Sequence, residues 1–146
     1  MPTYTINYSN FKISDKNKNL IAKGITNIHK NITGANSFFA QVIFYNNQKN
    51  SHFMGGKKVL GKQIFLQGLI RGGRTKKIKK KLINSLRNVL EKKTKITRDN
   101  IWVYIIDLPP QQMIEYGEIL PESGKEKNWF SSLSDKLKKK LKKIDS

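Results

Sequence analysis

One pattern in this sequence occurs twice, and a chain that repeats itself must fold into two similar halves. Tyr4, Ile6 and Tyr8 alternate with Thr3, Thr5 and Asn7, the period of two expected of a half-buried strand. Ser14 then offers an N-cap, with Asp15 in the first turn, and Leu20, Ile21, Ile25, Ile28 and Ile32 follow at helical spacing. Gly34 is a natural left-handed stop. The nearly all-apolar run Phe38 to Tyr45 predicts a second, central strand. The order then recurs. Ile64 to Ile70 predicts a strand, and Thr75 caps a helix striped by Ile78, Leu82, Ile83, Leu86 and Leu90. Ile101 to Leu108 predicts another long strand. Ser14 and Thr75 lie 61 positions apart, and the same offset sets Pro2 opposite Gln63.

Each half is a β-α-β unit with a right-handed crossover. The expected fold is α/β (α+β in some schemes): two fused repeats forming a four-stranded mixed sheet with both helices on one face. The other face is too apolar to stay wet, which predicts self-association. One domain over residues 1–146 is expected, with repeat one at about 2–62, repeat two at about 63–130 and a basic C-terminal helix at about 131–146. Asn46 to Lys62 reads as a loop or short hairpin. Glu115 to Trp129 reads as irregular. In the tail, Leu133, Leu137 and Leu141 recur every four residues among lysines, predicting an amphipathic helix docked by one stripe.

Composition removes several classes. With no cysteine, disulfides, thiolate metal sites and a Cys nucleophile are excluded together. No run of about 18 apolar residues offers a transmembrane helix, and the polar start has no secretory h-region. The default expectation is a cytoplasmic protein. The formal charge of +19 attracts anions of every kind. Yet no zinc-finger or RNP-like pattern accompanies it, and joint enrichment in Asn, Ile and Lys matches an AT-rich coding bias. Nucleic acid and membrane are therefore not the expected partners. A basic protein that binds nucleic acid or an anionic surface remains the alternative to an enzyme.

Two features carry chemistry. Proline at position two permits removal of Met1, and the exposed secondary amine then titrates near neutrality. The second is Arg71-Gly72-Gly73-Arg74, between a strand end and the helix that Thr75 caps. Two guanidiniums on a glycine-flexed turn at a helix N-terminus form a carboxylate receptor. Taken alone, a basic turn on a basic protein is the plainer account. If the halves run antiparallel, however, the start of the first strand lies beside the end of the third, and Pro2 meets the arginines.

These residues also resemble a family. The Pro2 start, Asn27-Ile28-His29, Phe39-Ala40-Gln41-Val42, Ile70-Arg71-Gly72-Gly73-Arg74 and Ile101-Trp102-Val103-Tyr104 are similar to the tautomerase superfamily. The match is to its cis-3-chloroacrylic acid dehalogenase-like group. The most specific stretch is Pro110-Gln111-Gln112-Met113-Ile114-Glu115-Tyr116-Gly117, followed by Leu120-Pro121 and Trp129-Phe130. The resemblance extends to about Leu133, and the lysine-rich tail departs from it in composition. It implies a cofactor-free enzyme, a homotrimer, and a small carboxylate substrate. It also implies that Pro2, Tyr104 and Glu115 are catalytic, that His29, Arg71 and Arg74 bind substrate, and that no metal is used. Tyr104 and Glu115 would position and activate water.

Each role has a plainer counterpart: a cap or solvated position for His29, core packing for Tyr104 and a salt bridge for Glu115. In the functional account His29 adds partial positive charge to the arginines, and nearby cations keep Glu115 ionised as a base. A neutral Pro2 would run enol–keto tautomerisation. A protonated Pro2 would run hydration or dehalogenation, and the presence of both water-activating residues favours that version.

Overall fold

The computed structural model describes residues 2–145. Met1, whose removal the catalytic account requires, and Ser146, the last residue of the expected tail helix, lie outside the described residues. Strand β1 (Thr3–Ser9) leads through α1 (Asp15–Thr33) to β2 (Gln41–Asn46). A small hairpin, β3 (Phe53–Met54) and β4 (Lys57–Lys58), bridges to the second half. There β5 (Gln63–Arg71), α2 (Lys76–Thr94) and β6 (Ile101–Leu108) repeat the order. The sheet runs β2-β1-β5-β6. β1 is parallel to β2 and β5 to β6, and β1 is antiparallel to β5. This is the expected pair of β-α-β units. The run 38–45 is corrected in two respects: β2 begins at Gln41, and it is an edge strand rather than a central one. Phe38 and Phe39 leave it for a 3₁₀ turn and pack below it instead.

The expected caps form. The Ser14 side chain accepts from Asn17 N at 3.2 Å, and the Thr75 side chain accepts from Ile78 N at 3.2 Å, each stabilising its helix by about 1 kcal/mol. Gly34 closes α1 at φ 74°, while Lys95 takes the same left-handed turn after α2 at φ 63°. Ile21 and Ile25 of α1 and Leu82, Leu86 and Leu90 of α2 are fully buried against Tyr4, Ile6, Ile64, Leu66 and Ile70. Both helices therefore cover the same sheet face. They approach closely at Gly24, where a Cβ would lie 2.8 Å from Val89 Cγ2.

The opposite face is open. Strand alternation and pairing put Thr3, Thr5, Asn7, Ile43, Tyr45, Phe65, Gln67, Leu69, Trp102, Tyr104 and Ile106 on it. Trp102, Tyr104 and Ile106 are exposed, and Arg71, next in the same alternation, is buried at the end of β5.

After β6 the stretch expected to be irregular is ordered. β7 (Ile114–Glu115) and β8 (Glu118–Ile119) form a hairpin. Tyr116 and Gly117, at φ 56° and 85°, make its two-residue turn. Then come α3 (Glu126–Ser132) and α4 (Asp135–Asp145). The tail helix begins at Asp135 rather than about 131, so of the expected stripe only Leu137 and Leu141 belong to α4. Leu141 is buried with Phe38, Phe39 and Leu120, Leu137 packs against them, and Leu133, buried in the same cluster, caps α3.

Candidate active site

The antiparallel register pairs Thr3 with Leu69. One step further Pro2 faces Ile70, and Arg71 follows. The first residue after the initiator and the first arginine thus share one end of the sheet, as expected of halves that run antiparallel. Pro2 is buried, and its carbonyl accepts from Gln41 N at 2.9 Å.

Arg71 and Arg74 line a cleft of about 800 Å³ between the C-terminal end of α1 and the segment that opens α3. Ala35, Phe39, Ile78 and Phe130 form its apolar walls. Arg71 is 2% exposed. One terminal nitrogen donates to Pro121 O at 2.8 Å, and the other meets the Glu126 carboxylate in a short ion pair. Burial pushes the Glu126 carboxyl up, but the Arg71 hydrogen bond and charge outweigh it and hold the group below its usual range. Glu126 was not singled out in the sequence. Nothing local distinguishes it from nearby Glu115, Glu118 and Glu122, because its partner lies 55 residues away.

Arg74 is half-buried. Its proton affinity is lowered by burial and then by Arg71, and Glu126, Asp107 and Tyr4 oppose the shift. Its Nη1 has no hydrogen-bond partner, and neither does Arg71 Nε. Two buried guanidinium donors without acceptors call for an anion, since a buried unpaired donor costs about 1–3 kcal/mol.

His29 adds a third such donor site. It is 3% exposed rather than capping or solvated, and Tyr4 Oη lies 2.7 Å from its Nδ1. Its Nε2 has no partner. Burial, followed by the charges of Arg74 and the other nearby cations, pushes its pKa down to about 3. The partial positive charge expected at His29 is corrected: burial keeps the imidazole neutral near pH 7. Neither His29 nor Pro2 is among the residues lining the cleft.

Glu115 lies elsewhere. It lines a second cavity of about 660 Å³ with Thr3, Phe38, Gln41, Met113 and Tyr116, and Phe39 lines both cavities. Glu115 thus sits near the residue that follows Pro2, while Glu126 is the carboxylate on Arg71. Tyr104 is 53% exposed on the open sheet face, edge-on to Phe65 at 5.0 Å. It lines a third cavity with His52, Phe53 and Trp102, not the one with Glu115. One protomer therefore gathers Arg71, Arg74 and His29 at the sheet end that Pro2 begins. Glu115 lies to one side, and Tyr104 lies on another face.

Among the described residues no group of three or more His, Cys, Asp or Glu side chains could hold a metal ion. No helix among them is long and apolar enough to cross a membrane.

The sequence model of the family described as "Putative oxalocrotonate tautomerase enzyme" matches residues 1–133. Among solved structures, N1, a member of the cis-3-chloroacrylic acid dehalogenase family, superimposes with a TM-score of 0.91 at 27% identity, covering 97% of this chain and 99% of that one. Pt0534 inactivated by 2-oxo-3-pentynoate has a TM-score of 0.73 at 19% identity, covering 81% and 94%. A fused 4-OT wild-type symmetric trimer has a TM-score of 0.73 at 15% identity, also covering 81% and 94%. The last two show the fold alone. No curated protein matches the chain. The chain belongs to the tautomerase superfamily and is similar over nearly its full length to the cis-3-chloroacrylic acid dehalogenase-like group.

Proposed function

We propose that the mature protein, with Met1 removed, is a cofactor-independent enzyme that uses the Pro2 amine for proton transfer on a small unsaturated carboxylate. The observation that carries this reading is the gathering of unpartnered Arg71, Arg74 and His29 nitrogens at the sheet end where Pro2 begins. A carboxylate accepts from all three, and only a group beside that carboxylate can exchange protons with the carbon chain.

In the hydration version Glu115 takes a proton from water as its oxygen attacks C3. Pro2, as an ammonium, gives its proton to C2. Negative charge developing on the carboxylate and C2 is stabilised by the guanidiniums, already ordered and desolvated. With a halogen on C3, the product is a halohydrin that expels hydrogen halide and leaves the 3-oxo acid. With an acetylenic acid, hydration gives the enol of the same product. Enol–keto tautomerisation of a 2-oxo acid is the second reading. It requires only Pro2 and the carboxylate donors, which one protomer supplies. Glu115 beside Thr3 supports the hydration version.

Tyr104 can serve water activation only from a second copy docked on the open face. We take the protein to be a homotrimer, in keeping with the symmetric trimer among the structures that share its fold.

Arg74→Ala is the cleanest probe of carboxylate capture, because the Arg74 side chain makes no hydrogen bond among the described residues. Arg71→Ala would also strand Glu126. Loss of one charge-assisted hydrogen bond, about 1.5–3 kcal/mol, should lower kcat/KM for a 3-haloacrylate or acetylenic acid roughly 10- to 100-fold, mostly through KM. Glu115→Gln should abolish hydration and spare tautomerisation of an enol acid. Proton NMR of both reactions decides. Equal loss of the two activities would contradict the assignment of Glu115 to water.

A further inference from the structure

The buried pair Tyr4 and His29 has a detail that packing does not explain. The repeat offset of 61 carries the α1 stripe Ile21, Ile25 and His29 onto Leu82, Leu86 and Leu90 in α2, and all three leucines are fully buried. The second half fills this position with an aliphatic side chain. The first half places an imidazole there and brings a phenol to meet it.

Resting on the function proposed above, we infer that Tyr4 is a positioning residue. Its hydroxyl donates to His29 Nδ1 and so keeps the single ring proton on Nε2, where it donates to the substrate carboxylate held by Arg71 and Arg74.

Tyr4 is fully buried, and the contact with His29 Nδ1 at 2.7 Å is the only hydrogen bond of its hydroxyl among the described residues. A hydroxyl has one proton to give. If Nδ1 carried the ring proton, the phenol proton would have no acceptor, and Nε2 would present a lone pair to an incoming anion. With the phenol donating, both groups are satisfied and Nε2–H is free for a carboxylate. Burial raises the Tyr4 proton affinity above its usual range, against the pull of Arg74, so the hydroxyl keeps its proton. The imidazole holds only one proton near neutrality, so which nitrogen bears it decides whether His29 is donor or acceptor.

The site is also built for this contact. A Cβ at Gly68 would lie 2.6 Å from Tyr4 Cε1, so a glycine in the neighbouring strand makes room for the ring. The two rings then meet edge-on at 5.8 Å.

The test is long-range proton–nitrogen NMR on ¹⁵N-labelled, processed protein at neutral pH. His29 Nδ1 is expected at the shift of a bare acceptor and Nε2 at that of a protonated nitrogen. Added propanoate, an unreactive acid, should move the Nε2 signal. Tyr4→Phe should populate both tautomers and raise KM about tenfold, with kcat changed by less than about threefold. In a His29→Gln background the amide supplies its own N–H, and Tyr4→Phe should have no further effect on KM.

A wild-type ring protonated at Nδ1 would overturn the inference, even if Tyr4→Phe failed to fold. So would an equal KM penalty for Tyr4→Phe in both backgrounds. The tautomer and propanoate readouts need no turnover. Inactivity toward every acid would therefore defeat the functional reading and leave the tautomer to be decided by NMR.

Discussion

His29 also governs how stability responds to pH. Its folded pKa of about 3 lies below the unfolded value of 6.5, so between those values the unfolded chain binds the extra proton. Stability is then complete above about pH 6.5 and declines as the pH falls, because stability rises with pH wherever the unfolded state binds more protons. The contribution lost by pH 5 is about 2 kcal/mol. Urea unfolding at pH 7 and pH 5 should show that loss in the wild type, and His29→Gln should remove most of it. An unchanged pH dependence in the variant would mean that other groups dominate.

At this scale the sequence was partly legible. Arg71 and Arg74 could be picked out because two guanidiniums on a Gly-Gly turn before a capped helix are a local pattern. The neutral state of His29 could not, because it depends on Tyr4, which lies 25 residues away, and on burial that only the folded sheet provides. The Arg71–Glu126 pair was hidden for the same reason.

Among the elements, β1, α1, β5, α2 and β6 were readable from periodicity and caps, with β6 ending at the residues expected. The misplaced element was the start of β2. Phe38 and Phe39 are as apolar as the strand that follows, and what draws them out of it is a partner far along the chain. They form the floor on which α4 docks, with Asp145 Oδ1 accepting from Ser37 N at 2.8 Å. Tyr116 joins them, its hydroxyl donating to Phe38 O. Because Phe39 lines both the arginine cleft and the Glu115 cavity, α4 supports the site from behind.

Leu141 is the fully buried anchor of that helix. Leu141→Ala should destabilise the protein by about 2–5 kcal/mol, measurable by thermal or urea unfolding. It should also weaken substrate capture as Phe39 loosens. A stability change below about 1 kcal/mol would mean that α4 is a solvated appendage rather than part of the core.

For the whole molecule, charge and apolar surface are segregated. Lysines 16, 23, 30, 76, 77, 80 and 81 are exposed on the two helices, whereas Tyr45, Trp102, Tyr104 and Ile106, exposed on the open sheet face, are uncharged. The charge of these helix lysines is therefore turned away from the face expected to be buried in an oligomer, and it need not oppose assembly there. Trp102→Asp puts an unpaired charge on that face. Sedimentation velocity should then show the assembled wild type reduced to monomer. If Tyr104 works across the interface, hydration should fall with assembly. A variant that stays assembled would place the interface elsewhere.

The most direct test of the central claim is mass spectrometry of the Glu115→Gln variant, in which water is not activated to hydrate the reagent, after incubation with one equivalent of 2-oxo-3-pentynoate, an acid whose electrophilic alkyne captures the unprotonated fraction of an amine. The account predicts a chain without Met1 that carries a single adduct on Pro2, with the many lysines unmodified and labelling suppressed in Arg74→Ala. A retained initiator methionine, or label spread over lysines with Pro2 untouched, would contradict it.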